Sequence, residues 1–320
     1  MAATTIANLV TPAVYSAYME AMLPERIKLV SSGLATIDAN PEISTKGGTT
    51  FNIPFYNDMS GSADEVVAQG TPNTVTAIAA STDIGVVNYR SKTFGYSDAS
   101  EVFSGSDPGA EISRQWANYW ARRIDVSFNK VLEGTLTALG ATHQLDRTGA
   151  VDKAPSADNI LATAQLLGDN QDQLSIVYCH SKVFNYWLSN GFISYVSGTT
   201  FTERVVQSGQ VPTVFGKQVV VSDGAYNSGT TYGVYIGAPG QLYLGYQRAL
   251  KLEDFRDPKA QQTELTGSIF YVAHNRFVKW TGTAAGLTPT NTELGTSGNW
   301  SNVADNNKNI KLVQLLCTLA

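Results

Sequence analysis

Three histidines and two cysteines, His143, His180, His274, Cys179 and Cys317, are the imidazoles and thiols available for acid–base or nucleophilic chemistry. Such chemistry needs two of these groups, or one of them and a carboxylate, to converge on one site. Cys179 and His180 are adjacent at the end of a strand-like run. Neighbours on a strand point to opposite faces, so they make a poor nucleophile–base couple. His143 falls in a polar turn and His274 in another strand-like run. No H-x-x-x-H or C-x-x-C spacing offers a metal site, and no G-x-S-x-G elbow is present. The run "GAPGQLYLG" (237–245) has glycines, but lacks the dinucleotide spacing and a following helix. "DNNKN" (305–309) has the composition of a calcium loop without its glycine and closing glutamate. Asn299-Trp300-Ser301 matches a glycosylation sequon, which is common by chance and needs a secretory context. The expectation is that the histidines are structural or superficial and the cysteines are buried and reduced. No catalytic, cofactor or metal site is expected, and no enzyme. A hydrolase with its site in 150–245 would need a convergent His–carboxylate set, which the spacing does not display.

Composition points away from a solitary surface. Charged residues make up 15% of the chain, against about 25% in ordinary soluble proteins. Thr, Ser, Asn, Gln and Gly take their place, as in a chain whose outside is largely covered by neighbours. The net charge of −5 and the lack of a Lys/Arg cluster exclude an electrostatic nucleic-acid binder. The opening run "ANLVTPAVYSAYMEAMLPERIK" has no basic start and is interrupted by Glu20, Glu25 and Arg26, unlike a signal peptide. No apolar stretch reaches the ~18 residues of a membrane span. The chain therefore reads as intracellular and soluble when made.

The elements that would position any site fall in a clear order. Thr11-Pro12 starts a short helix to about Leu23, and turn chemistry follows around Gly33 and Pro41. "TTFNIPFY" alternates Phe51, Ile53 and Phe55, and "DIGVVNYRSKTFGY" is rich in β-formers. The stretch between them is too long for a tight hairpin turn. Ser106 or Asp107 caps a helix that has Pro108 in its first turn and runs to Gly140. Its length would be roughly 45–50 Å. Ile112, Trp116, Trp120, Ile124, Phe128, Leu132 and Leu136 recur every fourth residue. Such a stripe creeps by about 40° per step, so it suits a beam that meets different partners along its length. From about 154 helices and strands alternate, with a capped helix after Ser156, a buried strand in "QLSIVYCH", and strands in "KQVVV", "YGVYIG" and later runs. "ALKLEDFRDP" is a strand-like run, while the mixed charges of "KLEDFRDPK" (251–259) read as a solvated loop in preference to an inter-subunit salt-bridge patch.

Taken in register, several pieces resemble the major capsid proteins of tailed bacteriophages with the Hong Kong 97-type fold. They include Ser104-Gly105, Asp107-Pro108, Ile112, Tyr119-Trp120-Ala121-Arg122 and Leu132-Glu133-Gly134. "FNIPFYNDMSG", "CHSKVFNYW", "VFGKQVVVSD" and "TPTNTELGTSGNWSNV" add to the match. The resemblance implies an α+β chain with an N-terminal arm (1–46), an extended β-hairpin loop (47–96), a peripheral domain with a long spine helix (97–149), an axial domain (150–245) and a return to the peripheral domain (246–320). It implies self-assembly through hexamers and pentamers into an icosahedral shell around double-stranded DNA, held without sequence-specific contacts. It places the chain in the virion capsid after synthesis in the bacterial host cytoplasm. A portal protein, a separate scaffolding protein and, in some members, decoration proteins would be partners; no membrane would be. The residues expected to carry assembly structure are Phe51, Ile53, Phe55, Asp107, Pro108, Trp116, Trp120, Arg122 and Arg256. Some members weld the shell with a Lys–Asn bond from the extended loop; no lysine lies between Lys46 and Lys92 here, so no loop-tip weld is expected. The arm begins almost at Met1, so no large propeptide is expected. A tail or surface-layer subunit, the structural rival, would be mainly β and would not need the helix.

Overall fold

In the computed structural model of the chain, residues 27–37, 47–59, 64–67, 69–70, 72–104, 107–195 and 212–319 are described. The expected helix over 12–23 lies outside them. The described chain opens with one helical turn, α1 (Lys28–Ser31), and a short strand, β1 (Ala35–Ile37). Then come β2 (Thr50–Tyr56) and the 18-residue β3 (Ala80–Ser97), joined by residues 57–79. A short helix, α2 (Asp98–Ser104), precedes the 32-residue α3 (Pro108–Leu139). Next are β4 (Gln144–Asp146), α4 (Ala157–Ala164), β5 (Ile176–Cys179) and α5 (Ser181–Ser189). Short strands follow: β6 (Ile193–Tyr195), β7 (Pro212–Val214), β8 (Lys217–Val221), β9 (Asn227–Ser228) and β10 (Thr231–Gly237). β11 (Leu242–Asp257) and β12 (Gln262–Asn275) are long. β13 (Val278–Trp280), α6 (Asn291–Leu294), β14 (Trp300–Asn302) and β15 (Leu312–Thr318) complete the chain.

The strands form two main sheets and a small pair. The first has the order β1-β11-β12-β3-β2; the second runs β4-β15-β10-β5-β8-β7-β6, with β9 beside β10. β13 and β14 pair with each other. Helix α3 is where the local signals are strongest. The Asp107 carboxylate accepts the Ala110 N–H at 3.0 Å, Pro108 takes the first helical position, and Gly140 ends the helix at φ +59°. Its four-residue stripe meets a succession of partners, as expected. Trp116 packs edge-on to Phe94 of β3 and lies over Gly267 of β12. Ser127 accepts the Tyr271 hydroxyl at 2.7 Å, and the Asn129 side chain accepts that of Tyr178 in the second sheet at 3.0 Å. Gly134 sits against Leu294 and Trp300. One continuous core therefore runs from the first sheet along α3 to one face of the second sheet. Burying each large apolar side chain in it contributes about 1.5–3 kcal/mol.

The second sheet is covered on both faces. In β5, Ile176 and Tyr178 join the core around α3, while Val177 and Cys179 face a separate core with α4 and α5. This is the run of uninterrupted apolar residues typical of a strand buried on both sides.

Two expectations are corrected. The final strand, β15, does not join β11 and β12 in the first sheet. It lies inside the second, antiparallel to β10 from Thr231↔Thr318 to Gly237↔Leu312. Leu312 feeds one core and Val313, Leu315 and Cys317 the other, so only an interior position buries both faces. The boundary at 245 also cuts β11, which begins the first-sheet ladder at Leu242. Second, of the two readings of this run the strand holds and the solvated loop does not: Lys251 to Asp257 are the outer half of β11, laddered to β12. Leu252 turns into the core while Lys251 and Glu253 pair on the other side at 2.5 Å, which reconciles its charge with a strand.

Candidate assembly surfaces

The structure distributes the residues singled out above among different tasks. Phe51, Ile53 and Phe55 share one face of β2, the edge strand of the first sheet, and all three are half-buried. Phe51 stacks on Tyr243 at 5.9 Å and Phe55 meets Phe277 edge-on at 5.2 Å, so both root the start of the 57–79 excursion in the body of the chain. Asp107 and Pro108 start α3. Trp116 and Trp120 are buried inside this chain at 2% and 1% exposure, which makes them core residues of the subunit rather than surface contacts. Arg122 is exposed on α3. Arg256 forms a bidentate pair with Asp98, both oxygens at 2.6 Å, tying the outer end of β11 to the start of α2 within one chain. The Arg256 guanidinium holds the Asp98 carboxyl below its ordinary pKa.

The histidines converge on carboxylates after all, in two places that spacing did not reveal. Nε2 of His274 lies 2.9 Å from Oδ2 of Asp83, and both side chains are shut off from water. His180 is 3.8 Å from Asp223. Neither pair is built for turnover. The first has no opening through which a substrate could arrive. In the second, Nδ1 of His180 accepts the Lys182 N–H at 3.1 Å and so caps α5. Asp223 is held below the usual carboxylate range chiefly by the Ser181 hydroxyl, then by the charge of His180. His143 is fully buried, its Nδ1 2.9 Å from the Thr142 hydroxyl and its Nε2 3.0 Å from the Asn307 carbonyl oxygen. Burial pulls its pKa below the ordinary imidazole value. Cys179 and Cys317 are free, buried thiols pushed up by burial, Cys317 to about 12 and Cys179 further. Among the described residues no three His, Cys, Asp or Glu side chains gather as a metal site.

What the surface does display is uncovered apolar area at the two ends of β3. An 18-residue strand is roughly 60 Å long. At one end the loop carries Tyr56, Met59, Val66, Val67, Val75 and Ile78 into solvent, Val66 at 96% and Val75 at 95%. At the other, α2 exposes Val102 and Phe103, and Phe255 of β11 is also open. Single exposed apolar side chains are ordinary; groups of them at the tips of projections mark contact sites. These residues have no helix or strand period, so pattern reading passes over them; the only advance signal was the length of the loop.

A trough of about 660 Å³ runs along the first half of α3. Phe94, Ile112, Tyr119 and Val126 supply apolar walls, and Arg114, Arg122 and Arg123 supply charge. Glu111 accepts from Arg114 at 2.7 and 2.9 Å, which neutralises that arginine. Arg122 and Arg123 have no salt bridge among the described residues.

A chain of mixed α and β structure with sealed histidines and open apolar projections is built for association. Comparison with solved structures gives the class. The capsid of a native GTA particle superposes with a TM-score of 0.60 over 100% of this chain and 94% of the other, at 11% identity. The capsid asymmetric unit of cyanophage Pam1 gives 0.58 over 92% and 93%, at 10% identity. The fold is thus that of a capsid subunit. The profile of the Gp13-like family, described as major capsid protein 13-like, matches residues 54–311, and the chain belongs to that family. The major capsid protein of Bacillus phage SPP1 is 30% identical over 327 residues, covering 98% of each chain. The protein is a major capsid protein of a tailed phage, a structural component of the virion and not an enzyme.

Proposed function

We propose that this chain is a Hong Kong 97-type shell subunit that closes into hexamers and pentamers and then into an icosahedral container for double-stranded DNA. In this reading residues 47–96 are the extended loop and α3 is the spine of the peripheral domain. The second sheet with α4 and α5 makes the axial domain, and residues 1–46 form the arm. The branch signature, from Ser104 to Gly134, serves the spine by capping it at Asp107 and letting it pack closely at Gly134. Synthesis takes place in the bacterial host cytoplasm. A separate scaffolding protein guides closure, a portal protein occupies one vertex, and decoration proteins bind outside in those members that have them. The packaged DNA is held without base-specific contacts, which a chain of net charge −5 suits.

The observation that carries the reading is the pair of unfinished ends on β3, with Val66 and Val75 at one and Phe103 (88% exposed) at the other. Contacts that join different patches generate rings when their rotation closes. The test is expression of the chain with its phage's scaffolding protein, followed by sedimentation and negative-stain imaging. Hollow shells or five- and six-membered rings are expected. A monodisperse monomer under those conditions overturns the proposal.

A further inference from the structure

Arg90, on β3, is a half-buried cation among neutral acceptors. Its guanidinium donates to the Tyr89 carbonyl at 3.0 Å, the Thr288 hydroxyl at 3.3 Å, the Pro289 carbonyl at 2.6 Å and Oδ1 of Asn291 at 3.3 Å. These bonds tie β3 to the segment that leads into α6, but none of them cancels the charge. Helix α3 brings a second arginine, Arg123, to the same small recess of about 90 Å³. Among the described residues neither arginine has a salt bridge, and no Asp or Glu lines the recess.

The rest of the wall supplies open donors, while its acceptors are taken. Ser127 accepts the Tyr271 hydroxyl at 2.7 Å, and Oδ1 of Asn291 serves Arg90 and the Ser127 hydroxyl, the latter at 3.2 Å. The Asn291 amide N–H groups are left without an acceptor among the described residues. Trp120 also forms part of the wall and is 1% exposed. Its Nε1–H, which can only donate, has no partner among the described residues. A buried donor left open costs free energy. Both arginines act on one buried group. Burial raises the pKa of the Tyr271 hydroxyl, and its bond to Ser127, then the charges of Arg90 and Arg123, oppose that rise.

We propose that this recess binds one small oxyanion of the phosphate or sulfate class between Arg90 and Arg123. Guanidinium forks match oxyanions in shape and charge, and the resulting bonds are of the strong, charge-assisted kind. Water would satisfy the donors but leave two like charges on one recess; an anion answers both. The space is far below the roughly 300 Å³ at which pockets for larger organic ligands begin. The site belongs to the single subunit, where a bound ion braces β3, α3 and the approach to α6, and it does not depend on the shell reading.

The unassembled full-length subunit, titrated with sodium sulfate against sodium gluconate at constant ionic strength, tests the site. A saturable rise in unfolding temperature of about 2–4 °C is expected. Tryptophan fluorescence should change at the same midpoint, because Trp120 is in the wall. Sulfate also stabilises proteins by exclusion from their surface, but without saturation. Arg123→Gln separates the two effects. Arg123 is exposed and its side chain has no hydrogen bond among the described residues, so the variant should fold normally and bind sulfate at least about tenfold more weakly. Arg122→Gln, one residue along and outside the recess, should keep the saturable response. A purely linear response in the parent, or an unchanged saturable response in Arg123→Gln, overturns the site. A parent that ignores sulfate, with Arg123→Gln lowering the yield of shells, would make a carboxylate of a neighbouring copy the occupant and likewise overturn it. Each of these outcomes leaves the capsid reading intact, since that reading is tested by assembly itself.

Discussion

Oδ2 of Asp83 lies 2.9 Å from Nε2 of His274 and also accepts the backbone N–H of Phe277 at 2.8 Å. One carboxylate oxygen therefore joins β3 to the end of β12 and to the turn that follows. Breaking a buried polar pair of this kind costs much, because the surviving partner keeps its desolvation penalty. His274→Ala should lower the unfolding free energy of the subunit by roughly 2–4 kcal/mol, measured by urea denaturation. Asp83→Asn should cost less, since the amide oxygen can still accept the Phe277 N–H. Equal and negligible losses for both would show that the pair does not hold these strands.

Gly134 lies inside α3, where glycine is worse than alanine by about 1 kcal/mol in helix propensity. Its surroundings require it. A Cβ there would stand 2.2 Å from the Leu294 carbonyl oxygen and 2.7 Å from Nε1 of Trp300. That indole donates to that same carbonyl at 2.8 Å. Gly134→Ala should therefore destabilise the subunit by about 1–3 kcal/mol despite its better propensity. The loss should be accompanied by a change in tryptophan fluorescence; a stabilised variant would refute the close approach.

These two sites also show what could be read in advance. Helix α3 was legible from end to end because its signals are local: Asp107 and Pro108 at the start, Gly140 at the stop, and an apolar residue at every fourth place. β2 and β3 were legible for the same reason, as alternation and β-branched residues bounding a long insertion. What was hidden depends on distant partners. Asp83 and His274 are 191 residues apart, and no spacing rule connects them. β15 reads as a strand, but its seat beside β10 is a matter of pairing across the fold. The outer half of β11 reads as strand-like by its run and as a solvated loop by its charges; the ladder to β12, from Lys251↔Ser268 to Asp257↔Gln262, decides for the strand. The exposed apolar residues Val66, Val67, Val75 and Ile78 lie outside any periodic element, so pattern recognition has no purchase on them.

Cys179 and Cys317 both face the second core, from strands on either side of β10, and the Cys317 thiol faces the Tyr232 carbonyl oxygen at 3.4 Å. Thiolate is the reactive form, and burial pushes both thiols well above their ordinary range. Neither should react with a thiol-specific reagent in the native subunit at pH 8, and both should react once the chain is unfolded. Rapid labelling of the native protein would mean that the second core opens readily.

Asp125, on α3, faces the start of α1, where the Lys28 N–H reaches Oδ2 at 3.5 Å and Oδ1 has no partner among the described residues. Lys28 turns its ammonium group to the Val221 carbonyl oxygen at 3.0 Å, and the Asn129 side chain bonds the Asp125 carbonyl. Burial raises the Asp125 carboxyl to about 6, against smaller opposing effects of Lys28 and the Leu29 backbone. Unfolded, it would titrate near 3.9. Between those values the folded subunit holds the extra proton, so this group's contribution to stability falls as pH rises from about 4 to 6 and is level above that. The full swing is at most about 3 kcal/mol. Asp125→Asn removes the buried charge while keeping an oxygen for the Lys28 N–H. The variant should be more stable than the parent at pH 7 by about 1–2 kcal/mol, with the gap closing as pH is lowered to 4. A parent and variant with parallel stability profiles from pH 4 to 7 would show that the carboxylate is not strained where it stands.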